Sequence, residues 1–115
     1  MRTILSFIIL RDCHVAEKEH KKSFRQFAHT GHYPRVICVC EDMFKLPNNY
    51  IAGLIVHECG HIILFSEGKK QHSEIMANVR AEKHFNVTIK YKDCGKAKYI
   101  PWLNNKDTKK ILRFC

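Results

Sequence analysis

The segment from Asn48 to Phe65 constrains the fold of this chain more than any other feature. Its apolar residues occupy nearly the whole circumference of a helix, which is typical of a helix buried in a protein core. Pro47 and Asn48 are start signals for such a helix, and Gly68 is a stop signal. The apolar residues that recur at helical spacing are Ile51, Leu54, Ile55 and Ile62. We therefore predict one buried helix over about residues 48–65.

Three polar residues, His57, Glu58 and His61, interrupt this apolar helix in the pattern HExxH. His57 and His61 are one turn apart on one face, so both imidazoles can bind one zinc ion, and Glu58 is placed to take a proton from a water on the metal. Burial of such side chains without partners is costly, and a metal ion removes that cost. The alternative is a set of core residues satisfied by hydrogen bonds alone. Gly60 destabilises the helix by ~1 kcal/mol relative to alanine, which indicates a close neighbour there.

A catalytic zinc site needs a third protein ligand and an open position for water. Glu74 is the candidate, because Ser73 is a good N-cap ahead of it and a second helical face follows. The rival ligands are Glu67, in the intervening turn, and His72, which precedes the second helix. Asn78, one turn after Glu74, is the candidate hydrogen-bond partner for a metal ligand. The second helical face comprises Glu74, Ala77, Asn78, Ala81 and Phe85.

These residues resemble the pattern of the gluzincin family of zinc metallopeptidases. In that pattern HExxH is followed by E-x-x-A, which is present here at residues 74–77. The short chain is similar in size to the minigluzincins, small soluble metallopeptidases of the proabylysin and projannalysin kind. The resemblance covers about residues 34–85, and the two ends of the chain match only by overall size.

The resemblance implies that His57, His61 and Glu74 bind zinc and that Glu58 is the general base and acid. Gluzincins also carry a Tyr or His that stabilises the tetrahedral intermediate, and no motif assigns this role here. Three residues are candidates for it: Tyr91, Tyr99 and His84.

The 115 residues predict a single α+β domain, in which a small β-sheet packs on the two site helices. A strand at 36–40 leads into the first site helix, and the resemblance implies that it pairs with extended substrate backbone. The other predicted elements are a strand at 3–10, a helix at 15–29, the site helices at about 48–65 and 73–85, a strand at 87–91, a return strand at 97–102 and a short helix from Asp107.

No apolar stretch is long enough to predict a membrane span. The apolar residues 3–10 are followed by Arg11 and Asp12 instead of a small-residue cleavage site, so a buried strand is favoured over a signal peptide. Without a signal peptide, the six cysteines are expected to be reduced thiols in the cytoplasm.

The formal net charge is +9, from 20 basic and 11 acidic residues. A solvated basic face on the helix at 15–29 accounts for part of this charge, and no RNA-binding aromatic signature accompanies it. The sequence therefore predicts a peptide or protein substrate, with neither nucleic acid nor a membrane as partner. Nothing in it indicates the oligomeric state. The basic face comprises Lys18, Lys21, Lys22 and Arg25.

The C-terminal segment 104–115 is a candidate autoinhibitory tail. It is polar up to Lys110 and ends in an apolar stretch that closes with Cys115. Because a thiolate is a good zinc ligand, Cys115 is the candidate for an inhibitory fourth ligand, and the resemblance points to zymogens whose tails cover the cleft. The alternative is a terminal helix that packs outside the core, with Cys115 incidental.

Together these features predict zinc-dependent hydrolysis of peptide bonds with one catalytic zinc ion. Two alternatives stay open: hydrolysis of a non-peptide bond, and a zinc-stabilised basic module that binds nucleic acid or an acidic partner without turnover. Glu58 discriminates between an enzyme and a binding module, since a structural zinc site does not need a carboxylate beside its ligands.

Overall fold

The computed structural model describes residues 2–4, 8–12, 28–29, 36–39, 41–93 and 99–113. These residues form an α+β fold of two small sheets and three helices, and none of these helices is long and apolar enough to cross a membrane. The predicted α+β class is confirmed. The elements are β1 (Arg2–Ile4), β2 (Ile8–Asp12), β3 (Ala28–His29), β4 (Val36–Val39), a 3-10 helix (Glu41–Lys45), α1 (Asn48–Ser66), α2 (Glu74–Phe85), β5 (Ile89–Asp93), β6 (Tyr99–Leu103) and α3 (Asn105–Leu112).

Helix α1 is the predicted buried helix, and it contacts both other helices and strands of both sheets. It begins after Pro47, whose carbonyl accepts from the amide of Ile51 at 3.1 Å. At the other end Gly68 has a φ of 83°, and the amide of Lys69 donates to the Leu64 carbonyl at 3.0 Å. A left-handed glycine with this hydrogen bond is a common way to end a helix. The predicted start and stop signals are confirmed.

Helix α2 begins at Glu74, because the Ser73 hydroxyl caps it by accepting from the amide of Met76 at 3.1 Å. Ala77 and Ala81 are fully buried against α1. Gly60 of α1 lies against the Ala77 main chain, where a β-carbon at position 60 would lie 2.8 Å from the Ala77 carbonyl carbon. The two site helices are therefore in contact along their backbones, as Gly60 and the two alanines predict.

The first sheet has the order β1-β2-β4-β3, with β2 and β4 parallel and the other two pairs antiparallel. The prediction of one strand over 3–10 is wrong, since β1 and β2 pair with each other, Arg2 opposite Leu10. Residues 5–7 contain no Gly, Pro or Asn, and a single Ser6 is a weak turn signal, so the apolar pattern favoured one continuous strand.

The helix predicted over 15–29 falls largely outside the described residues. Its predicted end is wrong, because Ala28 and His29 form β3 and pair with Val39 and Cys38 of β4. Strand β4 confirms the strand predicted near 36–40. Because β2 and β3 flank it on both sides at Cys38 and Val39, it offers no open edge there, and the expectation that it pairs with substrate backbone is wrong at these positions.

Strands β5 and β6 form the second sheet, an antiparallel pair that confirms the predicted strand and return strand with slightly later bounds. This pair packs on α1 through Gly53, where an added β-carbon would lie 2.5 Å from the Pro101 carbonyl oxygen. Cys38 and Cys59 are buried and form no disulfide with another described residue, consistent with small apolar core side chains.

Helix α3 contains most of the predicted tail and begins at Asn105, two residues before the predicted start at Asp107. The side chain of Asn104 caps it by accepting from the Asp107 amide at 2.8 Å. Ile111 is buried in the core, and Lys110 Nζ donates to the Phe85 carbonyl at 2.7 Å. The described part of the tail thus packs on α1 and β6 and reaches the C-terminal end of α2, whereas Glu74 lies at the N-terminal end of α2.

Candidate metal centre

His57 and His61 lie one turn apart on one face of α1, with ring centroids 4.9 Å from each other. Their side chains are mostly buried, at 14% and 15% exposure. Glu58, between them in the chain, is 8% exposed, and its negative charge acts on His57. The helix thus places both imidazoles on a common face with a buried carboxyl group beside them.

Glu74 brings a carboxylate from α2 to these two histidines. Its Oε2 lies 3.3 Å from His57 Nε2 and 2.5 Å from His61 Nε2. One ligand atom from each of the three residues lies within 4.8 Å of the others, so this group could hold a metal ion. The Glu74 side chain is 72% exposed, so the group opens to solvent on the side of α2.

Asn78 fixes the orientation of His57. The Asn78 Oδ1 lies 2.5 Å from His57 Nδ1, and an amide oxygen can only accept, so Nδ1 carries the hydrogen. In the neutral ring this leaves the lone pair on Nε2, which faces Glu74. Asn78 is therefore the partner of a candidate ligand, in the position that the sequence suggested.

His61 is oriented by His72, whose ring precedes α2. His61 Nδ1 lies 2.8 Å from His72 Nε2, and His72 Nδ1 lies 2.9 Å from the Lys69 carbonyl oxygen. With His72 neutral, the carbonyl requires the hydrogen on His72 Nδ1, so Nε2 accepts from His61. The free lone pair of His61 then lies on Nε2, again towards Glu74.

The two imidazole lone pairs and the carboxylate repel one another unless a positive charge lies between them. Either protons on the imidazoles or a metal cation can supply that charge. For tetrahedral zinc, nitrogen and oxygen ligands are about 3.3 Å apart. The His57–Glu74 separation of 3.3 Å matches this value, and the His61–Glu74 separation of 2.5 Å would open by less than ~1 Å on binding. These two separations therefore suit a metal ion with only a small adjustment.

The titration behaviour of the group reflects the same charge balance. Hydrogen bonds from His57 and His61 hold the pKa of Glu74 far below its ordinary range, against the opposing effect of burial. Burial lowers the pKa of His57, but hydrogen bonds to Glu74 and Asn78 and the charge of Glu58 outweigh it, so the pKa is raised above 6.5. In the absence of metal, the cluster therefore binds protons where the cation would lie.

The two rival ligands have other partners. Glu67 forms a two-pronged ion pair with Arg80, with Nε–Oε1 and Nη2–Oε2 distances of 3.0 and 3.2 Å. His72 contacts His61 and does not join the three converging ligand atoms. Sequence reasoning considered His72 only as a metal ligand and missed its hydrogen bond to the candidate ligand His61. No residue type in the turn indicates which of its side chains will contact α1.

Tyr91 is the candidate oxyanion donor on which the charge of Glu74 acts. Burial, followed by the negative charges of Glu82 and Glu74, raises the pKa of Tyr91 to about 12, so its hydroxyl stays protonated. His84 packs against Phe85 with ring centroids 4.8 Å apart, at the other end of α2 from Glu74. The side chain of Tyr99 lies outside the described residues, as does Cys115, so the predicted Cys115 ligation stays a prediction.

No protein-family model, curated protein or solved structure matches this chain.

Proposed function

We propose that this chain is a zinc-dependent metallopeptidase in which His57, His61 and Glu74 bind the metal and Glu58 is the general base. One observation carries the proposal: the Nε2 atoms of both histidines and Oε2 of Glu74 converge, and hydrogen bonds to the far side of each ring direct the lone pairs inward. Side chains that merely fill a core have no need of this arrangement.

Zinc is the metal that best suits these ligands. Two imidazoles and one carboxylate are a common ligand set of catalytic zinc, whereas calcium and magnesium prefer ligand sets made of oxygen. Three protein ligands leave a fourth position for water, as in catalytic sites, while structural sites are closed by four. The 72% exposure of the Glu74 side chain gives a substrate access to that position.

In the proposed reaction each residue has a separate task. When bound, zinc would polarise the scissile carbonyl group and lower the pKa of its bound water towards ~7. Glu58 accepts the proton of the attacking water and later donates it to the leaving amine. Tyr91, whose hydroxyl is held protonated, is the proposed donor to the negatively charged oxygen that develops on the substrate.

The experiment is a cleavage assay on a mixed peptide library, with the zinc-loaded wild type beside Glu58→Gln. We expect cleavage by the wild type, its loss on chelation and its recovery on addition of zinc. The zinc-loaded Glu58→Gln protein should be folded and nearly inactive. Stoichiometric zinc without peptide cleavage, both in the wild type and in the protein that lacks residues 114 and 115, would refute the peptidase proposal.

A zinc-stabilised basic binding module is the second candidate, and the net charge of +9 favours it. Such a module would bind nucleic acid or an acidic partner equally well with Glu58 or Gln at position 58. The exposed carboxylate ligand argues against it, because a structural zinc site has no use for an open side.

A further inference from the structure

We propose that His72 is a positioning residue, which fixes His61 in the tautomer that can bind a metal and is itself fixed by the main chain of the turn between α1 and α2. The inference rests on the metal site of the proposed function and does not depend on its peptidase activity. It assigns a task to a histidine whose sequence position suggested only a rival ligand.

The direction of the hydrogen bonds follows from the carbonyl group at their end. The Lys69 carbonyl oxygen, 2.9 Å from His72 Nδ1, has no hydrogen to give, so this nitrogen must donate. The neutral His72 ring then has its lone pair on Nε2, 2.8 Å from His61 Nδ1. His61 must donate through Nδ1, and its Nε2 is left without a hydrogen, pointing at Glu74. The opposite tautomer of His61 would set two lone pairs against each other.

The turn holds the Lys69 carbonyl in place. Gly68 adopts the left-handed conformation, with φ of 83°, and the Lys69 amide donates to the Leu64 carbonyl of α1 at 3.0 Å. The ring of His72 also packs against the ring of Phe65, at a centroid distance of 4.8 Å. The backbone of the turn thus determines the tautomer of a ligand on the helix before it.

The two candidate ligands His57 and His61 are oriented by hydrogen bonds from different parts of the structure. His57 is fixed by Asn78, a residue within α2, whereas His61 is fixed through the turn. Loss of such a hydrogen-bond partner typically lowers metal affinity 10–100-fold. We expect His72 variants to fall in this range and to lose affinity without losing the three ligands.

The test compares His72→Phe with His72→Gln by zinc competition against a chelator. The Phe variant keeps a ring to pack on Phe65 and loses the acceptor, so its zinc affinity should fall roughly 10–100-fold. The Gln side chain has an amide oxygen near the position of Nε2, so it should restore most of the affinity. His84→Phe is the matched control, since His84 lies at the far end of α2, and it should bind zinc as the wild type does.

A second measurement needs no variant and no activity. Nitrogen-15 spectra of histidine-labelled, zinc-loaded wild type should show His61 bound through Nε2, with the hydrogens of His61 and His72 both on Nδ1. The inference is overturned if His61 binds zinc through Nδ1, if His72 of the zinc-loaded protein carries its hydrogen on Nε2, or if His72→Phe is folded and binds zinc as tightly as the wild type. A wild type that binds no zinc would overturn both this inference and the proposed function, whereas zinc binding without peptide cleavage, in the wild type and in the protein that lacks residues 114 and 115, would overturn only the latter.

Discussion

Gly60 of α1 contacts the main chain of Ala77 in α2 so closely that a β-carbon at position 60 would overlap the Ala77 carbonyl oxygen. This contact sets the distance between the helix that carries the two histidines and the helix that carries Glu74. Ala77 lies between Glu74 and Asn78 in the chain, so a shift at the contact would move a ligand and the partner of another ligand together.

We therefore predict that Gly60→Ala lowers both stability and zinc affinity. Alanine favours a helix interior by ~1 kcal/mol, but forcing a methyl group against a backbone typically costs ~1–3 kcal/mol, so destabilisation should win. Thermal melts and chelator competition would measure the two effects. Gly53→Ala is the matched control: it collides with the Pro101 carbonyl of β6, so it should destabilise the fold while leaving the zinc affinity of the folded protein intact.

Glu58→Gln should keep the fold and the metal and lose turnover. Gln has nearly the same shape as Glu but cannot accept the proton of water, and general base catalysis contributes roughly 10²–10⁴-fold. Metal analysis and kcat/KM on a cleaved peptide would check this. Loss of zinc from the variant, or turnover at the wild-type rate, would contradict the role assigned to Glu58.

Glu74→Ala should weaken zinc binding by more than the ~10–100-fold typical of a lost outer hydrogen-bond partner, because it removes a ligand. Glu67→Ala is its control: the Glu67–Arg80 pair is partly exposed to solvent, so this change should alter stability by at most ~1 kcal/mol and leave zinc affinity unchanged. Stoichiometric zinc in the Glu74 variant at low free zinc would show that another group is the third ligand.

The stability of the metal-free protein should depend on pH with a definite sign. The lowered pKa of Glu74 contributes stability above its ordinary value of 4.5, which is lost on acidification. The raised pKa of His57 contributes stability below 6.5, which is lost as the pH rises through the raised value. The metal-free melting temperature should fall as the pH rises from 6.5 through the raised pKa of His57, while the increase in melting temperature on adding zinc grows as the proton leaves His57. If the increase in melting temperature on adding zinc became smaller as the pH rises, the assignment of His57 as a zinc ligand would be contradicted.

The prediction that the C-terminal segment inhibits the enzyme requires a shorter deletion than removal of residues 104–115. Ile111 is 2% exposed, so deletion of the whole segment would open the core. Deletion of residues 114 and 115, or Cys115→Ala alone, leaves α3 intact and should raise peptidase activity if Cys115 is an inhibitory ligand. Unchanged activity in both folded, zinc-loaded variants would make packing the sole role of the tail.

The sequence predicted correctly those features that depend only on interactions between residues close together in the chain. Pro47, Gly68 and Ser73 mark helix ends by hydrogen bonds within a few residues, and both site helices were placed to within about one residue. The HExxH spacing likewise fixes the relation of His57 to His61 through helix geometry alone.

The failures involve pairing between distant segments. The helix predicted at 15–29 overran into β3, whose pairing with β4 is not written in the local pattern of Ala28 and His29. The role of His72 was missed for a related reason: its ring folds back on His61 only because the turn ends at Gly68 with a particular geometry.

The candidate ligands and the residues that orient them all come from one stretch of chain, His57 to Asn78, which is a helix, a turn and a second helix. Contacts of such short sequence separation form quickly, because little loop-closure entropy opposes them. This hairpin can therefore gather its ligands before the strands at the two ends of the chain have paired. A metal ion present during synthesis would act as a folding nucleus, and the rest of the protein would assemble on a hairpin that the ion has already closed.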